Sequence, residues 1–464
     1  MAAKDLTQGS IPRLMIKLAL PVLGSFVLQS LYTLTDLYFV GLLGETQVAG
    51  LAIAFNGFFT TLAVGMVLGV GALAILSQAY GAGERETVPA VFQSVFWGVI
   101  ITGSIYGGLG WYFTDPLIGL FTSDPAVQAE GAAYLRIYTI TFLTMLFMMV
   151  TGFCFRAVGD FITPTLLMAT GVVLNIVLDP LLIFGIGPFP ELGIRGAALA
   201  TVASHTITVG IYLWLVLKPH PRRILGVRRP FVLDVSQFFR VVRIGWPAGI
   251  QMALFALIMM MVYRGVRPFG GEATAAVGIG FRIIQAAILP IVAIGAAVSA
   301  LSGQNFGARD PARVKATVMW GSLYTGLLMC LAYGVLGLWP EFWVSLFSDQ
   351  PAVVAIGADY LVLSGVGLPF HGVSYMVTAM AQGLGRNLYP LMGQLFRVLG
   401  FLVALAILDG HFSLGLKGIF WSYAAAYGAE LFSMGAALAV LWVTVLKPRI
   451  PVSSPITGST AESG

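Results

Sequence analysis

The sequence contains few charged residues, few histidines and only two cysteines. Asp, Glu, Lys and Arg make up 10% of the 464 residues, against about 25% in an average soluble domain. Cys154 and Cys330 stand alone in separate apolar stretches, which indicates neither a disulfide framework nor a metal site. The four histidines show no metal-ligand spacing, so no resident cofactor is expected. Because the chain has only 25 Lys and Arg, we expect no nucleic-acid partner.

Hydrophobic residues make up 58% of the chain, and the mean hydropathy is +0.90. Runs of about 20 apolar residues, long enough to cross roughly 30 Å of hydrocarbon, recur along the whole sequence. They predict an all-α polytopic membrane protein with twelve transmembrane helices. The predicted spans are 14–41, 48–77, 90–113, 131–155, 162–186, 193–217, 238–263, 273–301, 314–338, 352–381, 388–408 and 418–446.

Lysine and arginine are unevenly distributed over the segments that connect these spans. Eighteen of the 25 fall in the termini and the even-numbered connections, whereas four fall in the odd-numbered connections. Cytoplasmic loops of membrane proteins carry an excess of these residues. We therefore expect a multi-pass protein of the plasma (inner) membrane with both termini in the cytoplasm and no cleavable signal peptide.

The two halves of the chain repeat each other at an offset of 226 residues. Residues 120–135 (LFTSDPAVQAEGAAYL) align with residues 346–361 (LFSDQPAVVAIGADYL), with 10 identities in 16 positions. Since each half contains six spans, both halves enter the membrane in the same orientation, which predicts two pseudo-symmetric six-helix lobes. The predicted domains are an N-terminal lobe (1–217), a basic cytoplasmic linker (218–237) and a C-terminal lobe with a polar tail (238–464).

Acidic residues inside the spans are few, and each costs about 2.5–3.5 kcal/mol at the bilayer centre on insertion scales. Asp36 in the first span and Asp179 in the fifth fall at a similar depth. Tyr32 and Asn175 each precede one of these acids by four residues, on the same helical face. Thr201 in the sixth span reaches the same depth. These groups predict either a Na⁺ cage, with Asp36, Asn175 and Asp179 as ligands, or a proton-accepting cluster.

A second set of polar residues lies mostly in the C-terminal half. Glu430 and Arg397 share a depth and are expected to form a buried ion pair, either structural or part of a second coupling or substrate-contact site. Arg282 and Gln285 predict a local polar network in the eighth span, and Arg282 is also a candidate for a substrate contact or second site. In the N-terminal half, Tyr134 is a candidate for aromatic contact with a substrate in the central cleft.

Three motifs together resemble those of the multidrug and toxic compound extrusion (MATE) family. They are the opening IPRLMIKLALPVLGSFVLQSLYTLTDLYFVGLLG, the Q-x-x-G-A element after the second and eighth spans, and N-x-x-x-D-P in the fifth span. The resemblance runs from Ile11 to Leu446. It implies two six-helix lobes in a V and a cation-coupled antiporter, expected to be a monomer, that exports amphipathic organic cations by alternating access.

The resemblance also implies roles for individual residues. In the DinF-like branch of the family, acidic and amide positions matching Asp36, Asn175 and Asp179 form the cation site. Bending of the first span at the proline that matches Pro21 is linked there to closure of the first-lobe cavity, so Pro21 is a candidate hinge, with a static kink as the alternative. At the 226-residue offset Val262 replaces Asp36, so the second lobe lacks this acid, and the resemblance is to the DinF-like branch.

Two other functions are alternatives to efflux. A flippase for lipids or lipid-linked oligosaccharides, from the same superfamily, would share the duplicated lobes but needs a more basic cleft than Arg282 and Arg397 provide. An intramembrane prenyltransferase needs a second acidic motif, which the sequence lacks, so we expect no enzymatic activity. The sequence leaves H⁺ and Na⁺ both open as the coupling ion.

Overall fold

The computed structural model of the chain describes residues 4–54, 56–217, 225 and 233–447. In these ranges the chain forms sixteen α-helices and no β-strand. The helices are α1 (Ile11–Gly41), α2 (Glu45–Ala54), α3 (Asn56–Gly81), α4 (Thr87–Tyr112), α5 (Thr114–Gly119), α6 (Pro125–Ala157), α7 (Ile162–Ile183), α8 (Ile194–Leu217), α9 (Val235–Val266), α10 (Gly271–Gly307), α11 (Pro311–Leu338), α12 (Pro340–Ser345), α13 (Pro351–Gly365), α14 (Leu368–Gly383), α15 (Leu388–Leu408) and α16 (Leu416–Leu441).

The described helices contain enough long apolar segments for the twelve predicted spans. Eleven candidate spans are single helices, and the twelfth is the pair α13 and α14, which meet at a bend of 49°. Gly365, Gly367 and Pro369 lie at this bend, where glycine weakens the helix and proline lacks the N–H that would continue it. The predicted second span (48–77) falls on α2 and α3, which lie on either side of residue 55, outside the described residues. The predicted all-α membrane fold is confirmed.

The repeat in the sequence is also a repeat in the fold. The short helices α5 and α12 start 226 residues apart, as do α6 and α13, and α7 and α15. The chain therefore forms a first lobe of α1–α8 and a second lobe of α9–α16, in agreement with the prediction of two six-helix lobes. The structure starts α9 at Val235, three residues before the predicted start of the second lobe.

The linker and the tail of the predicted domain scheme lie largely outside the described residues. Within the linker, only Leu225 and residues 233–237 are described. Leu225 is buried against the first-lobe core. Asp234 caps α9, since its carboxylate accepts a hydrogen bond from the backbone N–H of Gln237 (3.1 Å).

The two lobes touch at the end of the bundle that carries residues 4–10 and the α3–α4 and α10–α11 connections, which we call the terminal face. A Cβ atom at Gly81 would overlap the carbonyl oxygen of Gln304, and one at Gly307 would overlap the carbonyl oxygen of Gln78. The two contacts are related by the 226-residue repeat. Glycine alone lets the α3 and α10 backbones approach so closely, and the terminal face is closed as a result.

Residues 4–10 form a strap across this face. The backbone N–H of Lys4 donates to the carbonyl oxygen of Val158 in the first lobe (3.0 Å). The backbone N–H of Leu6 donates to Oε1 of Gln304 in the second lobe (2.9 Å), and the Leu6 side chain is fully buried. The strap therefore holds both lobes together on the closed side of the molecule.

Candidate functional site

The polar residues predicted in the first lobe come together where α1, α7 and α8 pack side by side. Asp36 lies near the end of α1 remote from the terminal face, and Asp179 occupies the matching part of α7. Asp36, Asn175, Asp179 and Thr201 are each at most 1% exposed. The two carboxylates are close enough to interact electrostatically. We call these four residues and Tyr32 the acidic cluster.

Two hydrogen bonds organise the acidic cluster. The Tyr32 hydroxyl bonds to the Thr201 hydroxyl (2.9 Å) and thereby joins α1 to α8. The Asn175 amide nitrogen donates to Oδ1 of Asp179 (3.1 Å), as the spacing of four residues predicts for one helical face.

Most of the acceptor capacity of the acidic cluster is unused. Both carboxylate oxygens of Asp36, Oδ2 of Asp179 and Oδ1 of Asn175 are buried without a hydrogen-bond partner. Among the described residues, no lysine, arginine or histidine forms an ion pair with either acid. Buried carboxylates without a cation or a donor are costly. The arrangement therefore favours the uptake of a positive ion or a proton.

His205 is a neighbour of the cluster that the sequence analysis missed. Its ring stacks on Tyr32 with centroids 6.2 Å apart, and its Nδ1 atom is buried without a partner. His205 follows Thr201 by four residues, one turn along α8. This spacing of four residues is the signal in the sequence that places His205 on the same helical face as Thr201.

Tyr134 lies in the interior of the first lobe, and its contact with a substrate stays a prediction. Its side chain is 2% exposed and stacks on Tyr138, with centroids 5.3 Å apart. Both rings belong to a core with Val40 and Ile183, and both interact electrostatically with Asp36. The reason is the spacing of four residues on α6, which turns both tyrosines toward the lobe core.

The donor set of the acidic cluster limits what ion it can hold. The described part of the chain has no group of three or more His, Cys, Asp or Glu side chains placed to bind a metal. Two carboxylates must therefore be supplemented by the Asn175 amide and by hydroxyl oxygens to surround Na⁺. Such neutral oxygens suit a hard cation, whereas a proton needs only one carboxylate oxygen.

The predicted hinge residue Pro21 lies inside α1, which continues unbroken through it. The carbonyl oxygen of Pro21 accepts hydrogen bonds from the hydroxyls of Ser25 (3.1 Å) and Thr165 (3.0 Å). Those two hydroxyls also bond to each other (2.9 Å). Thr165 belongs to α7, so the proline segment of α1 is tied to the helix that carries Asp179.

The second lobe contains the ion pair expected between Arg397 and Glu430. Nη1 of Arg397 lies 3.7 Å from Oε2 of Glu430, and both side chains are buried. Three further residues complete the network, and the sequence analysis missed them. Nδ1 of His371 lies 3.3 Å from the same Glu430 oxygen. The Arg397 guanidinium donates to the Tyr423 hydroxyl (3.1 Å) and stacks 4.1 Å from the Tyr427 ring centroid.

The networks of the two lobes occupy equivalent places in the repeat. Tyr423 and Tyr427 on α16 correspond to Thr201 and His205 on α8 at an offset of 222 residues. In the first lobe, the unpaired carboxylates of Asp36 and Asp179 lie beside these positions. In the second lobe, Arg397 lies there and is already paired with Glu430. Among the described residues, the first-lobe network contains fully buried carboxylate oxygens without a hydrogen-bond partner, and the second-lobe network contains none.

Arg282 does not form the predicted network with Gln285. Both side chains are exposed, and neither has a hydrogen bond or ion pair within the described ranges. Ile283 and Ile284 of α10 point into the second-lobe core, which turns Arg282 and Gln285 away from it. Since a lipid-facing arginine at this depth is costly, Arg282 is expected to face the cleft between the lobes.

The MatE family model matches residues 21–181 and 247–408 of this chain. These two segments start 226 residues apart and cover most of the sequence. The chain belongs to the MATE family. The first segment contains Pro21, Asp36 and Asp179 of this MATE transporter, whereas Thr201 and Glu430 lie outside both segments.

Similar proteins match this MATE chain over nearly its full length. It is 29% identical to "Probable multidrug resistance protein YoeA" of Bacillus subtilis, over 94% of this chain and 95% of that protein. It is 27% identical to "Probable multidrug resistance protein NorM" of Thermotoga maritima, over 87% of each. A solved MOP superfamily transporter from Pyrococcus furiosus has a TM-score of 0.87 at 22% identity, covering 97% of this chain and all of that chain. This structural likeness supports the fold.

Proposed function

We propose that this MATE transporter is a cation-coupled multidrug efflux antiporter of the inner membrane, with the terminal face toward the cytoplasm. Two relatives carry names of multidrug resistance proteins, which supports amphipathic organic cations as cargo. The excess of lysine and arginine in the connections of the terminal face supports the orientation. In the closed arrangement of that face, the cytoplasmic side is sealed and cargo leaves on the other side.

The observation that carries the coupling proposal is the set of unpartnered oxygens on Asp36 and Asp179. A proton or Na⁺ that enters from outside neutralises these acids and removes the cost of burying them. This change alters how α1 packs against α7, and cargo is released outward. Full burial of the cluster favours the proton, because a proton binds to a carboxylate oxygen without displacing neighbouring atoms.

The flippase alternative is less well supported. A cleft for phosphate-linked sugars needs several free cations, but the Arg397 guanidinium is already held by Glu430, Tyr423 and Tyr427. Among the arginines predicted at depth, Arg282 alone stays exposed.

The test is uptake of a fluorescent organic cation into inside-out membrane vesicles. An imposed acidic lumen in Na⁺-free buffer tests H⁺ coupling, and an imposed Na⁺ gradient at equal pH tests Na⁺ coupling. We expect Asp36→Asn and Asp179→Asn to abolish uptake driven by the gradient that the wild type uses, while both variants still fold. Asp359→Asn is the matched control, since Asp359 is a half-exposed acid paired with Lys417. Gradient-driven uptake that is unchanged in Asp36→Asn would contradict the coupling proposal.

A further inference from the structure

A cavity of about 690 Å³ opens between the two lobes at the terminal face. Gln78, Glu84 and Thr87 belong to its first-lobe wall. The second lobe contributes the start of α9, the α10–α11 and α14–α15 connections, and the segment that follows α16. A ligand in this cavity therefore contacts both lobes at once.

The cavity carries more positive than negative side chains. Arg240, Arg309, Arg386 and Lys447 line it, against the acids Glu84 and Asp310. Asp310 is already engaged, because its Oδ1 accepts the backbone N–H of Arg313 (2.9 Å). All four cations are exposed, and within the described parts of the chain none of them has a hydrogen-bonding or ion-pairing side-chain partner. Convergent free cations with an opening to solvent form a site for an anion.

Two of these arginines, Arg309 and Arg386, occupy positions where the first repeat has residues that are more favourable for the local backbone structure. Arg309 corresponds to Gly83, and both adopt left-handed backbone, with φ of 58° and 77°. Glycine adopts this conformation freely, whereas arginine is strained in it. Arg386 corresponds to Asp160, whose Oδ1 accepts the backbone N–H of Thr163 at the start of α7 (3.0 Å). The second repeat thus lacks the unstrained glycine turn and the aspartate cap of the first repeat. Arg309 and Arg386, which stand in their places, are two cations of one cavity.

Apolar side chains continue the cavity toward the membrane-spanning part of the bundle. Ile75 and Leu446 are buried, and Phe306 and Val445 are partly buried beside them. This mixture fits a molecule with an anionic head and apolar chains better than it fits a fully polar anion.

We propose that this cavity binds the phosphate headgroup of an anionic phospholipid, and that the bound lipid bridges the two lobes. Guanidinium groups bind phosphate oxygens in pairs of parallel hydrogen bonds, so Arg309 and Arg386 hold the phosphate. Arg240 and Lys447 add charge from the α9 and α16 sides. Basic pockets between transmembrane helices on the cytoplasmic side are typical of such sites. A bound lipid stabilises the closed terminal face because the cavity spans both lobes.

The test measures lipid binding by the purified full-length protein in non-denaturing detergent, with native mass spectrometry. We expect phosphatidylglycerol to bind at least tenfold more tightly than phosphatidylcholine. The double variant Arg309→Gly/Arg386→Asp installs the first-repeat residues and should lose that preference. The control Arg13→Gln/Lys17→Gln removes two exposed cations of the same face that lie outside the cavity, and should keep it.

A second variant and a soluble anion complete the test. Arg240→Gln/Lys447→Gln changes only exposed side chains on another wall, so it tests the same cavity if the first variant fails to fold. Pyrophosphate that binds as tightly as phosphatidylglycerol would identify a soluble phosphate as the ligand of the same site. Equal binding of both lipids, or equal losses in the cavity and control variants, would overturn the proposal. Binding is measured without transport, so the efflux proposal is tested separately.

Discussion

Gln78 and Gln304 make the same hydrogen bond in opposite directions across the boundary between the lobes. Nε2 of Gln78 in the first lobe donates to the carbonyl oxygen of Gly383 in the second (2.9 Å). Nε2 of Gln304 in the second lobe donates to the carbonyl oxygen of Ala157 in the first (2.8 Å). The two donors, Gln78 and Gln304, are 226 residues apart in the chain, and so are the two acceptors, Ala157 and Gly383. The repeated Q-x-x-G-A element therefore forms a self-complementary contact that closes the terminal face.

The two glutamines should contribute unequally to this closure. Oε1 of Gln304 also accepts a hydrogen bond from the backbone N–H of Leu6 in the strap. Gln304→Leu therefore removes two hydrogen bonds, one to the strap and one to the first lobe. Gln78→Leu removes one. At about 1 kcal/mol for each net hydrogen bond, Gln78→Leu should raise the population with an open terminal face about fivefold, and Gln304→Leu should raise it further.

A cysteine reporter measures this opening. Ser77 is buried against Gly303 at the lobe boundary, so Ser77→Cys should react with a soluble maleimide only when the face opens. The exposed Cys330 is first replaced by alanine, while the buried Cys154 is kept. If the labelling rates of the two glutamine variants equal that of the parent, the contact does not control opening.

Thr165→Val should make α1 bend more readily at Pro21. The substitution removes the α7 hydroxyl that holds the Pro21 carbonyl, at a cost of about 1 kcal/mol to the straight helix. Spin labels at the exposed positions Leu20 and Leu166 report the α1–α7 distance, and the minor distance population should rise about fivefold. The control is Thr170→Val, since the Thr170 hydroxyl bonds only within its own helix. Identical distance distributions for the two variants would favour a static kink.

Glu430→Gln should destabilise the second lobe by about 3 kcal/mol, because it leaves the buried Arg397 guanidinium without its countercharge. The double variant Arg397→Met/Glu430→Met should recover most of the loss, since no unpaired charge remains. Thermal unfolding in detergent measures both effects. Gradient-driven uptake by the double variant separates the two roles that the sequence left open: full uptake indicates a structural pair, and lost uptake in a stable protein indicates a coupling or substrate-contact site.

Arg282→Gln should strengthen the binding of cationic substrates. Arg282 is exposed on α10, and a positive charge beside the cleft repels a cationic cargo. We expect a KM for the organic cation several-fold lower than that of the wild type at low ionic strength, with the difference reduced in high salt. Arg267→Gln, which changes an exposed arginine beyond the end of α9, should leave KM unchanged. A KM for Arg282→Gln that matches the control value would place this side chain away from the cargo.

The acidic cluster was predictable because helical spacing fixes which side chains share a face. Asp36 with Tyr32, and Asp179 with Asn175, each lie one turn apart, and span length gives their depth. The face of each helix that turns toward the interior of the bundle was not predictable in the same way. Tyr134 was expected to contact a substrate in the cleft and Arg282 to bond to Gln285, yet the first is buried in a lobe core and the second is exposed without that partner. Packing against neighbouring helices decides that rotation, and the sequence of one helix does not contain it.

The second-lobe network shows a similar limit. Arg397 and Glu430 could be paired by depth alone, because few charges lie inside the spans. His371 joins them from α14, beyond the bend in the tenth span, and its distance from Glu430 depends on that bend. Tyr423 and Tyr427 precede Glu430 by seven and three residues on one face of α16, a pattern visible in the sequence once Glu430 is suspected.

The sequence by itself determined the twelve apolar spans and the duplication, because apolar length and repeated motifs are properties of order along the chain. It also determined that two acids would be buried in the first half. The tertiary structure decided that the strap and two glutamines close one end. Within the ranges that it describes, it also decided that these acids have no cationic partner and that four unpaired cations meet in one cavity. These features depend on distances between helices far apart in the chain, which only the packed structure sets.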